Sequence, residues 1–216
     1  YSYRDELLPR FMLAIAAARR LADSKAEGEL EWRRGVIELG LGNLDACIAA
    51  YERGLALVTP SNDQRMITHI QSDLAATYLF RGGRDSLLRG IALYQQILAT
   101  YDELGPETNP VSICLNNIGN GYLLLKDYAQ AEHYCQQALV IAEERQDPMD
   151  QCRALATLGE IYAQTHAYER SLQANQCALD LAREVGHAQA EAVVSGYLAK
   201  SLVLCGQDTR GFALFE

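Results

Sequence analysis

Four histidines, His69, His133, His166 and His187, are the side chains of this chain best suited to acid–base or metal chemistry. None of them lies in an H-E-x-x-H motif or beside cysteines at a zinc-binding spacing. The sequence also lacks the phosphate-binding motif G-x-x-x-x-G-K-[ST] and the nucleophile motif G-x-S-x-G. We therefore predict no enzyme, no metal and no cofactor, unless a pocket is assembled from residues that are distant in sequence.

Amide side chains in the middle of the chain suit binding rather than catalysis. Asn116 and Asn120 are four residues apart, so in a helix they share one face. An Asn carries both a donor and an acceptor, which suits the exposed backbone amides of an extended peptide. The alternative is that both residues tie adjacent helices together.

Composition and charge narrow the choice of partners. The 216 residues include 19 Lys and Arg against 28 Asp and Glu, a net charge of −9, which argues against binding to DNA or an anionic membrane. A neutral or basic peptide remains compatible with this charge. No run of about 18 apolar residues occurs, so no transmembrane helix is predicted. Six cysteines without C-x-x-C spacing indicate reduced thiols in a cytoplasmic protein.

The elements that would position these side chains repeat along the chain. The pattern L-x-x-[IL]-G-x-x-Y occurs at residues 115–122 and 155–162. A large side chain at its small position would push two helices apart, so each copy predicts a pair of helices in close contact. One copy cannot bury its own apolar face, so the copies must stack. The small position recurs at steps of 40, 44, 40 and 40 residues, at Gly35, Ala75, Gly119, Gly159 and Ala199.

The spacing also predicts where the copies begin and end. We expect a single solenoid over residues 1–216, with one helix of a truncated copy in 1–26 and complete copies in 28–60, 64–105, 110–147 and 150–186, followed by a truncated copy in 188–216. Copy two has extra residues within 81–89, which predict a longer turn between its helices. Because both ends fall inside copies, we expect a segment of a larger protein whose uncapped apolar ends could form a homodimer.

These residues resemble the tetratricopeptide repeat, whose pattern has Leu-Gly, then Tyr, then Ala and an aromatic residue. The 40-residue period is similar to the long form found in kinesin light chains, bacterial peptide-pheromone receptors and sensor arms of ATP-dependent transcription regulators. Copy one departs from the pattern at Glu38, where Tyr is expected. The resemblance implies an all-α, right-handed superhelical solenoid of antiparallel helix pairs.

The resemblance also implies that the first helix of each copy lines a concave face that binds a peptide. Arg153, Glu160 and Lys200 on that face could pair with a peptide or with one another, and Trp32 could be an anchor for the peptide or a core residue. Carried onto this sequence, the peptide-binding positions are Trp32, His69, Ser72, Leu79, Ile113, Asn116, Asn120, Leu123, Arg153, Glu160, Gln164 and Lys200.

The sequence therefore predicts a scaffold that binds a protein or peptide segment. It would be the regulatory or assembly arm of a larger, bacterial and cytoplasmic protein of signalling or transcription regulation, with no nucleic acid or membrane as partner of this segment. Self-association and small-molecule sensing are the two alternatives.

Overall fold

The fold is built from antiparallel pairs of helices. A computed structural model describes residues 3–100 and 111–213, which are helical and contain no β-strand. None of the described helices is both long and apolar enough to cross a membrane. The helices are α1 (Tyr3–Arg20), α2 (Ser24–Gly40), α3 (Leu44–Val58), α4 (Gln64–Arg81), α5 (Arg84–Ala99), α6 (Val111–Leu124), α7 (Tyr128–Glu144), α8 (Pro148–Gln164), α9 (Tyr168–Val185), α10 (Ala188–Leu204) and α11 (Asp208–Phe212), with a short 3-10 turn at Thr59–Ser61.

The chain divides into two compact units, Tyr1–Pro106 and Glu107–Glu216. Unit 1 contains α1 to α5 and unit 2 contains α6 to α11. Within each unit, every helix packs against the next one along the chain. This arrangement confirms the predicted all-α repeat solenoid. The predicted boundary between copies two and three, at residues 105–110, and the last residues of the truncated copy, 214–216, lie outside the described residues.

Local sequence fixes where the helices start. The carboxylates of Asp23, Asp63, Asp127 and Asp147 lie at N-caps and accept backbone N–H groups of the first helical turn. Such a cap satisfies a donor that has no partner inside the helix. Three-residue turns then join the two helices of most copies.

The connection in copy two differs from its prediction. The sequence indicated a longer turn within 81–89, but only Gly82 and Gly83 separate α4 from α5. That prediction was wrong because the extra residues extend the helices instead of the turn. Both glycines have positive φ angles, 71° and 78°, which only glycine adopts without strain.

Small residues let the two helices of a pair approach closely, as the sequence predicted. A Cβ atom added to Gly35 would collide with the buried ring of Tyr51, and one added to Gly119 would collide with Sγ of Cys135. In copy two the small position of the first helix is Ala75, and the glycine lies opposite it in the second helix, at Gly90. The close approach is therefore kept, although the residue that provides the space changes helix.

Candidate binding surfaces

A largely apolar surface lies on the first helices of the two copies in unit 1. We call it the groove face; its exposed apolar side chains include Val36 and Leu39, which are 47% and 37% exposed, and Phe80, which is 75% exposed. The members are spaced three, four or seven residues apart, so each helix turns the same side toward this surface. The groove face consists of Trp32, Val36 and Leu39 of α2 and His69, Asp73, Ala76 and Phe80 of α4.

The groove face contains a cleft of 390 Å³. Leu39 and Phe80 form its exposed sides, and Ala76 lies between them on α4. Tyr51 of α3, only 1% exposed, contributes to the buried part of the lining. Asp73 is the one acidic side chain of the described residues that line this cleft. An open apolar cleft with few polar groups is typical of a binding site.

Trp32 has properties of both a groove residue and a core residue. Its indole Nε1–H donates a hydrogen bond of 2.8 Å to Oδ2 of Asp73, and its ring lies 6.4 Å from the ring of His69. The same side chain packs against the apolar core that Ile70 and Leu74 help to form. Trp32 therefore anchors α2 to α4 and presents only part of its ring at the groove face.

The other predicted residues of unit 1 occupy different environments. His69 is exposed on the groove face, and Ser72 is half-buried, with its carbonyl accepting the hydroxyl of Tyr94. Leu79 was predicted for the groove, yet it is only 7% exposed and packs against Gly90. The sequence interpretation did not include Phe80, the next residue, which carries the exposed side chain.

In unit 2, the predicted site residues on the first helices of the copies are more polar than those in unit 1. Asn116 is 9% exposed, and Sγ of Cys135 contacts its Oδ1 at 3.9 Å. This placement corresponds to the alternative in which the amide ties two helices of one copy, and it leaves little Asn116 surface for a peptide. Asn120 is half-buried, and Ile113 is 36% exposed. Leu123 is half-buried and packs against the core of unit 2.

The predicted charges of unit 2 already have partners. Nζ of Lys200 donates to Glu160 at 2.7 Å, which links α10 to α8, and Gln164 donates to the same carboxylate at 2.7 Å. Arg153 forms an ion pair with Asp150, whose other oxygen accepts the hydroxyl of Ser112. Lys200 with Glu160, and Ser112 with Asp150, thus bridge equivalent helices of neighbouring copies, whereas Arg153 is partnered within α8.

A smaller cleft of 230 Å³ lies between α8 and α10 of unit 2. Cys152, Ala156 and Val194 are buried in its lining, and Val193 is 51% exposed at its edge. Arg153 is the predicted site residue with a charged side chain in this cleft, and it is already bound to Asp150. At 230 Å³ this cleft is smaller than the 390 Å³ cleft of the groove face, and the Arg153 guanidinium in its lining already has a partner.

A cleft of 460 Å³ between α3, α4 and α5 is lined by a pairing of Tyr78 with Arg89. The hydroxyl of Tyr78 donates to Glu52 at 2.5 Å, and the guanidinium of Arg89 lies 5.8 Å from the centre of the Tyr78 ring. The Arg170 guanidinium lies 3.9 Å from the Tyr162 ring in unit 2 in the same way. Because this pairing of Tyr with Arg recurs, we interpret it as part of the repeat architecture.

Buried carboxylates on α2 are the polar feature that sequence reasoning missed. Glu27, Glu31 and Glu38 are 6%, 3% and 6% exposed. Arg34 bonds Glu31 at 2.8 Å and lies 3.9 Å from Glu38, while Arg53 bonds both Glu27 and Glu31. The signal for this cluster in the sequence was Glu38, which occupies a position where the repeat pattern has Tyr. Each carboxylate has a partner, so the cluster holds α2 in place and offers no free group to a ligand.

Four of the six thiols belong to the core. Cys47, Cys114, Cys135 and Cys152 are buried, whereas Cys177 is exposed and Cys205 is half-buried. Burial raises the pKa of Cys114 and of Cys135 to about 12. Among the described residues, no group of three or more His, Cys, Asp or Glu side chains is arranged to hold a metal ion.

Comparison with known proteins identifies the repeat. A family model for the tetratricopeptide repeat matches residues 112–184. No curated protein matches the chain by sequence. Solved structures that are similar include BtubC (BKLC) from P. vanneervenii, with 18% identity over 99% of this chain and 89% of that chain at a TM-score of 0.75.

Two longer proteins show the same fold over part of their length. Aspartyl phosphate phosphatase F from Bacillus subtilis has 16% identity over 92% of this chain and 52% of that chain, at a TM-score of 0.76. A signal transduction ATPase with a tetratricopeptide repeat sensor, from Pyrococcus horikoshii, has 16% identity over 88% of this chain and 29% of that chain, at 0.70. Similarity at these identities concerns the fold.

Proposed function

We infer that this chain is a member of the tetratricopeptide repeat superfamily, and we propose that it is a module that binds a protein or peptide segment. The observation that carries the proposal is the groove face of unit 1. Phe80 is 75% exposed beside a 390 Å³ cleft, so its ring is accessible to a partner that enters the cleft. Aromatic side chains are also the residues that most often dominate binding energy at interfaces.

A peptide-binding role is also consistent with the rest of the fold. Stacked helix pairs present long surfaces to a partner, and the residues described here include no cluster suited to metal chemistry. A regulatory or assembly role within a larger bacterial, cytoplasmic protein follows from the resemblance to sensor arms and peptide receptors. It remains part of this proposal, as does the absence of catalysis.

The proposal is tested by selecting random linear peptides, displayed on phage, on the purified chain. Binding of the selected peptides is then measured by calorimetry for the wild type, for Phe80→Ser and for Leu88→Ser. Leu88 is a matched control, because it is 43% exposed on α5, outside the groove face. We expect Phe80→Ser to weaken binding about tenfold or more and Leu88→Ser to leave it unchanged. Equal binding by all three proteins, or no selected peptide, would refute the proposal.

Self-association is a second candidate, favoured by the surface of α1. Met12 and Leu13 of this helix are 52% and 71% exposed, and Leu21, directly after its end, is 80% exposed. A second copy of the chain could cover such side chains in a symmetric dimer. Sedimentation velocity over a range of concentrations distinguishes the candidates, since Leu13→Ser would reduce dimer formation but would leave peptide binding intact.

A further inference from the structure

The cleft of the groove face holds a carboxylate in apolar surroundings. Asp73 lines the cleft together with Leu39, Ala76 and Phe80. Trp32 donates to one oxygen of the Asp73 carboxylate, Oδ2, and no Lys or Arg of the described residues forms an ion pair with it. The second oxygen of this carboxylate can therefore accept a hydrogen bond from a ligand.

The position of Asp73 is fixed by its own helix and by α2. The hydroxyl of Thr77, 2% exposed, donates to the carbonyl of Asp73 at 2.8 Å, one helical turn away. The indole of Trp32 holds the carboxylate from the other helix. A charge held in this way loses little freedom when it binds a partner.

The negative charge of Asp73 acts on the buried part of the cleft. Burial chiefly, with smaller contributions from Cys47 and Asp73, raises the pKa of the Tyr51 hydroxyl. Burial likewise raises the pKa of the Cys47 thiol, and Asp73 acts in the same direction. Both neighbours therefore stay neutral, and Asp73 is left as the charge of the cleft.

We propose that the cleft of the groove face binds a Lys or Arg side chain of the partner peptide, with Asp73 as the counter-ion. The aliphatic stem would lie against Leu39 and Ala76, which suits the apolar part of these side chains. The cationic head would meet Asp73 and the exposed ring of Phe80, which attracts a cation to its face. The inference rests on the proposed function and adds the chemistry of one subsite to it.

The net charge of the chain favours the same occupant. With a charge of −9, the chain attracts basic segments and repels acidic ones at long range. Most of this charge lies outside unit 1, since residues 1–106 carry 12 Lys and Arg against 14 Asp and Glu, so the specific attraction at this cleft depends on Asp73. An acidic side chain would leave the Asp73 carboxylate unpaired, and a purely apolar one would remove its water. Either change would make the free energy of binding less favourable.

The test uses the peptides selected on the full chain and two protein variants. Asp73→Asn keeps an oxygen for the Trp32 hydrogen bond and removes the charge, so its fold should survive, which circular dichroism verifies. Asp85→Asn is the matched control, because Asp85 is an exposed carboxylate of unit 1 on α5, outside the cleft. Each peptide is also made with its basic residue replaced by norleucine.

We expect the selected peptides to contain a basic residue next to apolar ones, and norleucine to weaken binding to the wild type and to Asp85→Asn by about 10- to 100-fold. For Asp73→Asn, the basic and norleucine peptides should bind alike. If peptides bind in a Phe80-dependent way but show no basic residue, or if Asp73→Asn behaves as Asp85→Asn does, the inference is overturned while the proposed function stands. If no peptide binds, both are overturned.

Discussion

The indole N–H of Trp32 donates a 2.8 Å hydrogen bond to the carboxylate of Asp73, 41 positions along the chain. Other side-chain bonds span similar distances in sequence: Lys200 bonds Glu160 across 40 positions, and Arg170 bonds Glu132 across 38. Each of these pairs joins a helix to the equivalent helix of the neighbouring copy. Polar side chains therefore follow the same period as the apolar core and fix how neighbouring copies are aligned.

Removal of Arg34 should destabilise unit 1 strongly. Arg34→Ala would leave Glu31 and Glu38, which are nearly inaccessible to water, without this partner, and breaking such a buried pair costs about 2–4 kcal/mol. The matched control is the adjacent Arg33→Ala, because Arg33 is largely exposed and pairs with Glu29 one turn away. That change should cost less than about 0.5 kcal/mol. Urea unfolding of both variants measures the difference; equal costs would show that the α2 cluster is solvated.

Acid should weaken the attachment of α1 through Glu27. The hydrogen bond from Arg19 of α1, with a further contribution from Arg53, holds the pKa of Glu27 below its ordinary value of 4.5. A carboxyl whose pKa is lowered in the folded state contributes stability above its unfolded pKa, and loses it as pH falls through the folded pKa. The free energy of unfolding, measured with urea over a range of pH, should therefore fall less steeply on the acid side for Glu27→Gln than for the wild type. Parallel pH profiles would contradict this assignment.

Two glycine substitutions should have opposite effects. A Cβ atom at Gly90 would lie 2.9 Å from both the carbonyl oxygen of Ala75 and a methyl carbon of Leu79, so Gly90→Ala should destabilise the chain by about 1–3 kcal/mol. Gly196, within α10, has nothing within 4 Å of an added Cβ. Gly196→Ala should therefore stabilise the chain by about 0.5–1 kcal/mol through helix propensity. Thermal unfolding compares the two; destabilisation by Gly196→Ala would indicate an unrecognised close contact.

Thiol reactivity should follow burial. A water-soluble disulfide reagent should modify the exposed Cys177 first and the half-buried Cys205 more slowly, since burial chiefly raises the pKa of Cys205. The four buried thiols should react only after denaturation, because a thiol with a pKa of about 12, as at Cys114, carries almost no thiolate at neutral pH. Cys177→Ser should remove the fast phase. Fast modification of Cys114 in the folded protein would contradict the packing of α6.

The repeat architecture could be predicted from sequence because its signals are local and recur. Glycines such as Gly119, together with apolar residues at helical spacing, specify a pair of helices and its period. The exposed member of a neighbouring pair was harder to predict. Leu79 and Phe80 are consecutive apolar residues, and only the space that Gly90 leaves on the adjacent helix draws Leu79 inward.

The charges could not be predicted because their environment is set by tertiary contacts. Glu31 and Arg34 occupy positions where the repeat normally has apolar side chains, and only the structure shows that they satisfy each other. Asn116 similarly became a buried contact of Cys135 rather than a free amide. Arg153, Glu160 and Lys200 were identified as candidate charges, with pairing among themselves as one of the two alternatives.

Methyl NMR on the full chain tests most directly whether the groove face binds a peptide. A selected peptide is titrated into protein labelled at the methyl groups of Val, Leu and Ala. We predict that Val36, Leu39 and Ala76 shift in proportion to occupancy, while Leu88 of α5 keeps its resonances. Shifts confined to Leu88 and its neighbours, or to unit 2, would contradict the assignment of the groove face as the binding surface.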